Sequence, residues 1–230
     1  RTNCSSIVNL ATKLIGKKYL KKYISVSTPE VYGSNEKKIK ENNTYNPSTP
    51  YAASKLAGDL YLSTLFKKYN FPIIYSRSSN VYGPFQQLYR IIPKTIISLK
   101  LNKLIDLHGN GNSRRSFIYI EDLCEAFEKI INQGKEGNIY HISNNKIYSI
   151  KDIVKLICLK MDKNFFKSIN LVNENFGQDS IYLLNSNKIR KDLKWQHKRS
   201  LNFGINQTIN WININWKIIS KMPHDYIHKI

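Results

Sequence analysis

Apolar residues recur along the chain with helical and strand-like periods in alternation. Ile7, Leu10, Ala11 and Leu14 fall at helical spacing, so residues 3–18 read as a helix. Tyr23-Ile24-Ser25-Val26-Ser27 is a short apolar run and reads as a buried strand. A polar loop over 34–50, rich in Asn, Lys, Glu and Pro, follows it. Helical spacing returns from Tyr51 to Tyr69, with Leu56, Leu60 and Leu65 on or near one face, and Pro72 to Ser78 reads as a second strand. Strand, long crossover and strand imply a parallel pair with a right-handed connection. Residues 84–116 read as irregular, with a helix near 91–101. Phe117-Ile118-Tyr119-Ile120 reads as a strand, Asp122 to Asn132 as a helix capped by Glu121 or Asp122, and Asn138 to Ser143 as a strand. Ser149 to Met161 reads as a helix with Ser149 as its N-cap. The last long helix, 201–219, carries Ile205, Ile209, Ile212 and Trp216 as a stripe for core packing. Alternating elements of this kind make an α/β protein with a parallel sheet.

Composition narrows the function classes. The chain has 230 residues, 41% hydrophobic and 12% aromatic, which is enough for one large domain or two small ones with a buried core. That excludes a disordered tail, and no apolar run approaches the ~20 residues of a membrane-spanning helix. Cys4, Cys124 and Cys158 are far apart without a C-x-x-C, which argues against a disulfide scaffold or a cysteine zinc site and fits a cytoplasmic setting. The net charge of +20 raises a nucleic-acid or polyanion reading. Lys, Asn and Ile together exceed a third of the chain, however, and all three have A/T-rich codons, so biased composition explains most of the excess. The chain opens Arg1-Thr2-Asn3-Cys4 and enters a helical pattern at once, so it reads as part of a longer protein.

In an open α/β sheet, ligands bind beyond the carboxyl ends of the strands. Ser27-Thr28-Pro29-Glu30-Val31-Tyr32-Gly33 places two hydroxyls and a carboxylate at that edge. Tyr51-Ala52-Ala53-Ser54-Lys55 then puts a phenol and an ammonium at i and i+4, on one helix face. A free tyrosine, with a pKa of about 10, is a poor base at neutral pH. An ammonium within ~4–6 Å favours the phenolate, and lowering the pKa by about 3 units takes roughly 4 kcal/mol. Such a phenol takes a proton from an alcohol as a hydride leaves the same carbon. An isolated Tyr-x-x-x-Lys is usually just surface. Here it follows the Ser-Thr-Pro-Glu-Val-Tyr-Gly segment, and Asn80-Val81-Tyr82-Gly83-Pro84 follows the next strand.

Together with Pro47-Ser48-Thr49-Pro50 before Tyr51, Arg77-Ser78-Ser79 before Asn80, His108-Gly109-Asn110-Gly111, Arg115-Ser116-Phe117-Ile118-Tyr119-Ile120-Glu121-Asp122 and Tyr140-His141-Ile142-Ser143, these segments resemble the extended short-chain dehydrogenase/reductase superfamily. Within it they are similar to nucleotide-sugar 4,6-dehydratases and epimerases, most of all to the dTDP-glucose type, from Asn3 to about Trp211. The resemblance implies a Rossmann-like NAD-binding domain over 1–83 and 117–147, and a smaller substrate-binding α/β subdomain over 84–116 and 148–230. It implies NAD as cofactor and a nucleoside-diphosphate sugar as substrate. Thr28 would hold the hydroxyl at sugar carbon 4, Tyr51 would be its base, Lys55 would acidify Tyr51 and touch the nicotinamide ribose, and Glu30 would remove the proton at carbon 5. Ser27 and Ser78 would lie at the cofactor. Asn80 would contact the sugar, Arg90 and Arg115 the diphosphate, and His108 the nucleobase. Asn3 resembles a helix asparagine that supports the site. The resemblance also implies a homodimer through the helices at 3–18 and 51–69. From composition and hydropathy, no nucleic-acid or membrane partner is expected.

Two features depart from the family pattern. Where dTDP-glucose dehydratases have an acid before the glutamate, this chain has Pro29, which leaves a bound water or Thr28 as the acid. GDP-mannose dehydratases and UDP-glucuronate decarboxylases have a small neutral residue there, so decarboxylation or epimerisation on the same fold is the alternative. The Gly-x-x-Gly-x-x-Gly loop that cradles the cofactor pyrophosphate is also missing from this sequence, and by analogy about 90 to 100 residues that include it are expected upstream. This chain alone is therefore expected to hold NAD weakly and to be inactive. A catalytically silent or polyanion-binding piece is the reading of another class. His141 is equally a core histidine or a substrate contact. His197, His224 and His228 lack metal-ligand spacing and read as surface residues, and no metal is expected.

Overall fold

The computed structural model describes residues 2–42, 44–144, 146–173, 181 and 183–225. In chain order they form α1 (Ser5–Leu14), β1 (Tyr23–Val26), α2 (Pro50–Tyr69), β2 (Ile73–Ser78), β3 (Asn80–Tyr82), α3 (Ile91–Lys100), β4 (Ile105–His108), β5 (Arg114–Arg115) and β6 (Phe117–Tyr119). There follow α4 (Ile120–Gln133), β7 (Ile139–Ile142), β8 (Tyr148–Ser149), α5 (Ile150–Lys160), α6 (Phe165–Ser168), β9 (Ile169–Val172), α7 (Asn187–Leu193), α8 (Leu201–Ile214) and α9 (Trp216–Ile219). The chain divides into two compact units, residues 1–79, 121–145 and 179–197 in the first and 80–120, 146–178 and 198–230 in the second.

The first unit is built on a parallel sheet in the order β1-β2-β7, as the strand–crossover–strand pattern implies. Tyr23 pairs with Ile73 and Val26 with Ser76, and Ser78 pairs with Ile142. The sheet is apolar because it is covered: Ile73 and Ile74 of β2 and Tyr140 and Ile142 of β7 are all buried. On one side Ala11 of α1, Leu62 and Leu65 of α2, and Phe71, Ile73 and Tyr75 form a cluster. α1 and α2 approach closely at Gly58, where a Cβ would lie 2.9 Å from Ile7 and 3.0 Å from the Asn3 carbonyl. Trp195, the largest fully buried side chain, donates its indole N–H to the Asp122 carbonyl at 3.0 Å.

In the second unit, Ile92, Ile96 and Ile97 of α3, Ile153, Val154 and Ile157 of α5, and Ile205 and Ile212 of α8 form one core with Phe117 and Tyr119 of β6. Ser149 caps α5 as expected. Its hydroxyl accepts from Asp152 N–H at 3.0 Å while Asp152 accepts from Ser149 N–H at 3.1 Å, a reciprocal capping box.

Several sequence expectations change. The first helix stops at Leu14, because Ile15 turns extended and Gly16 sits at φ +71°. Leu10 and Leu60 face outward at 52% and 50% exposure, and Ala11 and Leu62 take the inner positions. α4 begins at Ile120, so Glu121 and Asp122 lie inside its first turn, where their charges favour the helix dipole. The helix expected over 201–219 breaks at Asn215, whose side-chain amide donates to the Trp211 carbonyl at 2.8 Å. Residues 84–116 are more ordered than they read: β4 pairs in parallel with β9, and β5 antiparallel with β8. No helix among the described residues is long and apolar enough to cross a membrane.

Candidate active site

The carboxyl end of β1 runs directly into a single 3₁₀ turn, Pro29–Tyr32. Thr28 is its N-cap, and its hydroxyl accepts from Glu30 N–H at 3.3 Å. Pro29 suits the first helical position, where the missing N–H is not needed. Gly33 ends the turn at φ +71°, and a Cβ there would lie 2.3 Å from the Asn46 carbonyl oxygen. Val31 and Tyr32 are buried against Leu184, with Leu56 of α2 packed on the same cluster. The turn is therefore anchored by its apolar residues. Thr28 is buried and Glu30 is half-buried.

α2 starts with Thr49 as N-cap, its hydroxyl accepting from Ala52 N–H at 3.1 Å, and with Pro50 at the first helical position. That puts Tyr51 in the first turn, 48% exposed, and Lys55 one turn further on the same face. Lys55 is half-buried, and its ammonium donates to the Val26 carbonyl, the last of β1, at 2.6 Å. Burial pulls the Lys55 pKa down, and the negative charge of Asp59 opposes that. Asn3 reaches this helix as expected: its amide donates to Ser54 Oγ at 3.2 Å, and Ser54 Oγ donates to the Tyr51 carbonyl at 2.7 Å.

Beneath these residues runs a buried polar network that the sequence reading missed. Ser27 Oγ donates to Asp59 Oδ2 at 2.5 Å, and Arg77 Nη2 donates to the same oxygen at 2.8 Å. Asp59 and Arg77 are 4% and 0% exposed, so this is an ion pair away from water. Arg77 Nη1 also donates to the Tyr32 hydroxyl, and the guanidinium carbon lies 4.8 Å and 5.2 Å from the Tyr32 and Tyr45 ring centroids. Tyr32 in turn meets His141 Nε2 at 2.8 Å. His141 Nδ1 lies 3.3 Å from the Asn185 carbonyl, and His141 N–H donates to Glu41 at 3.1 Å. Burial disfavours the Arg77 charge, but Tyr32 and Asp59 outweigh it, so the pKa is raised and the guanidinium stays charged. Burial pushes the Tyr32 phenol up to about 12, despite Arg77. His141 is pushed down to about 3, by burial first and then by the Arg77 charge. It is a core histidine, 0% exposed.

Ser27, Thr28, Glu30, Tyr51, Lys55 and Ser78 all lie in the first unit. Ser78 is half-buried at the end of β2. The four candidates for substrate contact lie in the second. Asn80 is exposed at the start of β3, and its backbone N–H donates to the Ser116 carbonyl at 3.1 Å. Arg90 is exposed as the N-cap residue of α3, 5.4 Å above the Tyr89 ring. His108 is exposed at the end of β4, 3.4 Å from the Asn173 carbonyl. Arg115 is half-buried on β5, donating to the Arg114 carbonyl at 2.9 Å. His197 is half-buried rather than on the open surface, 3.3 Å from Arg190, and His224 is half-buried too. His228 lies outside the described residues. Among the described residues no cluster of three or more His, Cys, Asp or Glu could hold a metal ion.

The chain has relatives along nearly its whole length. The human dTDP-D-glucose 4,6-dehydratase is 36% identical over 211 residues, which cover 88% of this chain and 60% of that protein. An Arabidopsis thaliana protein, named as a trifunctional UDP-glucose 4,6-dehydratase, UDP-4-keto-6-deoxy-D-glucose 3,5-epimerase and UDP-4-keto-L-rhamnose reductase, is 31% identical over 223 residues, 93% of this chain and 33% of the relative. The crystal structure of dTDP-glucose 4,6-dehydratase from Bacillus anthracis in complex with NAD matches with a TM-score of 0.88 and 30% identity, covering 94% of this chain and 69% of that one. The fold is thus the Rossmann-like α/β fold of the dehydratases, and the chain spans 60% of the human relative's length. Residues 2–208 match the family model described as GDP-mannose 4,6 dehydratase, and the chain belongs to that family.

Proposed function

We propose that the protein acts in the NAD-dependent 4,6-dehydration of a nucleoside-diphosphate sugar. The observation that carries this reading is the convergence at the end of β1: Lys55 of the Tyr51-Lys55 face bonds to Val26, and the Thr28–Glu30 turn begins two residues later. Lys55 favours ionisation of the Tyr51 phenol, and Tyr51 takes the proton from the carbon-4 hydroxyl while Thr28 holds that hydroxyl. A carbon-4 ketone acidifies the neighbouring carbon-5 proton, and the Glu30 carboxylate removes it as water leaves from carbon 6. Pro29 offers no acid, so the departing hydroxyl takes its proton from a water or from Thr28. NAD, when bound, supplies the hydride acceptor and later donor. Ser27 and Ser78, at the carboxyl ends of adjacent parallel strands, and the Lys55 ammonium are hydrogen-bonding groups that would suit its nicotinamide-ribose half. Arg90 and Arg115 would grip the diphosphate, Asn80 the sugar and His108 the base. The outward Leu10 and Leu60 of α1 and α2 suit a homodimer, and the free thiols of Cys4, Cys124 and Cys158 suit the cytoplasm.

The test is product mass. Protein expressed from its own gene, given NAD and in turn dTDP-glucose, UDP-glucose and GDP-mannose, should remove one water from at least one of them. Tyr51→Phe should stop all turnover, and Glu30→Gln should still oxidise carbon 4 but not eliminate water. Loss of carbon dioxide from UDP-glucuronate, or an isomer of unchanged mass, would replace dehydration with decarboxylation or epimerisation.

A further inference from the structure

Asp59 touches both the strand end and the buried arginine, and it lies one helical turn beyond Lys55. Two successive residues at the end of β1 are therefore pinned by two successive turns of α2: the Val26 carbonyl by Lys55 at 2.6 Å, and the Ser27 hydroxyl by Asp59 at 2.5 Å. Arg77 of β2 locks the carboxylate from the other side at 2.8 Å, and Tyr75 of β2 donates its hydroxyl to the Asp59 backbone carbonyl at 3.1 Å. We propose that Asp59 is the positioning residue of this site, its buried carboxylate fixing Ser27 ahead of the Thr28–Glu30 turn and keeping Lys55 a cation beside Tyr51.

The chemistry requires both effects. Thr28 and Glu30 follow Ser27 directly, so a loose Ser27 lets the turn drift by more than catalytic geometry tolerates. Lys55 helps Tyr51 only while it is charged, and its half-buried site disfavours that charge. An anion one turn away on the same helix opposes that loss of charge. The other titratable groups packed around the pair are Tyr75 from β2, Tyr32, Tyr45 and Glu41 from the segment after β1, and His141 from β7. The phenols of Tyr32 and Tyr75 are raised by burial and His141 is kept neutral by it, and Asp59 is the charge that opposes burial at Lys55.

The inference rests on the reading of Tyr51 and Lys55 as the base and its cation, but its first readout needs no turnover. Trace acetylation of lysines with acetic anhydride across pH, resolved by peptide mass spectrometry, gives the titration midpoint of Lys55. In Asp59→Asn the midpoint should move to lower pH, with about a tenfold rise in Lys55 labelling at neutral pH, while Lys67 and Lys68 of the same helix are unchanged. Ser27→Ala keeps the charge, so it should leave the Lys55 midpoint in place while slowing carbon-4 oxidation. If Asp59→Asn fails to fold, the double variant Asp59→Asn/Arg77→Met leaves no unpaired ion, and a smaller downward movement is expected in it, because the Arg77 cation goes with the carboxylate. In the active protein, the alkaline limb of the carbon-4 oxidation rate should move down in Asp59→Asn alone. A Lys55 midpoint that stays at its wild-type pH without the carboxylate overturns the proposal. A shifted midpoint in a protein that dehydrates no sugar overturns the functional reading and leaves the role of Asp59 standing.

Discussion

Acidification should weaken this protein through one buried imidazole. His141 is fully buried on β7, and its surroundings dictate its proton. Arg77 Nη1 can only donate, so the Tyr32 hydroxyl accepts from it and gives its own hydrogen to His141 Nε2. The Asn185 carbonyl at His141 Nδ1 can only accept, so the ring proton of the neutral imidazole sits on Nδ1 and Nε2 is bare. A second proton would set N–H against O–H beside a buried guanidinium. The pKa falls to about 3, through burial first and then the Arg77 charge. In the unfolded chain the value is about 6.5. Because the folded value is the lower one, stability from this group is intact above pH 6.5 and is lost as pH falls from there toward 3. Integrating the extra proton bound by the unfolded state from pH 7 to pH 5 gives a loss of about 2 kcal/mol. Urea unfolding of wild type and His141→Asn at both pH values isolates it, since other groups titrate equally in the two proteins. The variant should lose about 2 kcal/mol less than wild type over that interval. Equal losses in the two proteins would refute the neutral Nδ1–H imidazole and the hydrogen-bond order built on it.

Three further outcomes follow from particular contacts. Gly33→Ala places a Cβ against the Asn46 carbonyl at a positive φ, so thermal melts should show a loss of about 1–3 kcal/mol, whereas Gly16→Ala, at the same φ with nothing within 4 Å, should lose about 1 kcal/mol. If the two cost the same, steric contact at Gly33 is not what reserves that position for glycine. Leu62→Ala removes a fully buried side chain between α1 and β2 and should cost about 2–5 kcal/mol in urea unfolding; a change under about 0.5 kcal/mol would mean that the α1–α2 core is not packed as described. Pro29→Asp adds an acid at the first position of the 3₁₀ turn, where an aspartate also suits the helix end, and dehydration should speed up; an unchanged or slower rate would place proton delivery elsewhere.

The fold was legible where one periodicity ran for a full element. β1, β2, α2, α5 and β7 lie within a residue or two of where their apolar patterns put them, because each has enough residues on one face to declare a period. Short or interrupted elements were not. β4 shows the core two residues, Ile105 and Leu107, and its partner β9 comes from far along the chain, so neither segment carries the evidence of pairing. α1 and α8 were read too long because Ile15 and Trp216 continue an apolar rhythm that the backbone abandons, at the left-handed Gly16 and at the side-chain-bonded Asn215. Periodicity reports which side chains want burial, and backbone breaks are decided by residues it does not weigh.

The site divides in the same way, for a reason that bears on its chemistry. Tyr51 and Lys55 were visible because their relation is local, one turn of one helix. The Asp59–Arg77 pair was hidden because its members come from a helix and a strand, and because Asp59, four residues after Lys55, reads as half of an ordinary exposed i, i+4 pair. One signal was available. Arg77 is the charged residue of an otherwise apolar and hydroxyl-bearing strand, Ile73–Ser78, whose inward positions are all buried, and a guanidinium there demands a buried anion. Such a pair is poor value for stability alone, since its desolvation cost is comparable to its attraction, while removing one partner costs about 3–5 kcal/mol. Its place, touching Ser27 on one side and Tyr32 on the other, brackets the Thr28–Glu30 turn at both ends. An apolar substitute could fill that space but would leave the Ser27 and Tyr32 hydroxyls without the partner that orients them. The network therefore makes physical sense as a frame for the turn, which ties the least legible part of the first unit to its most reactive residues.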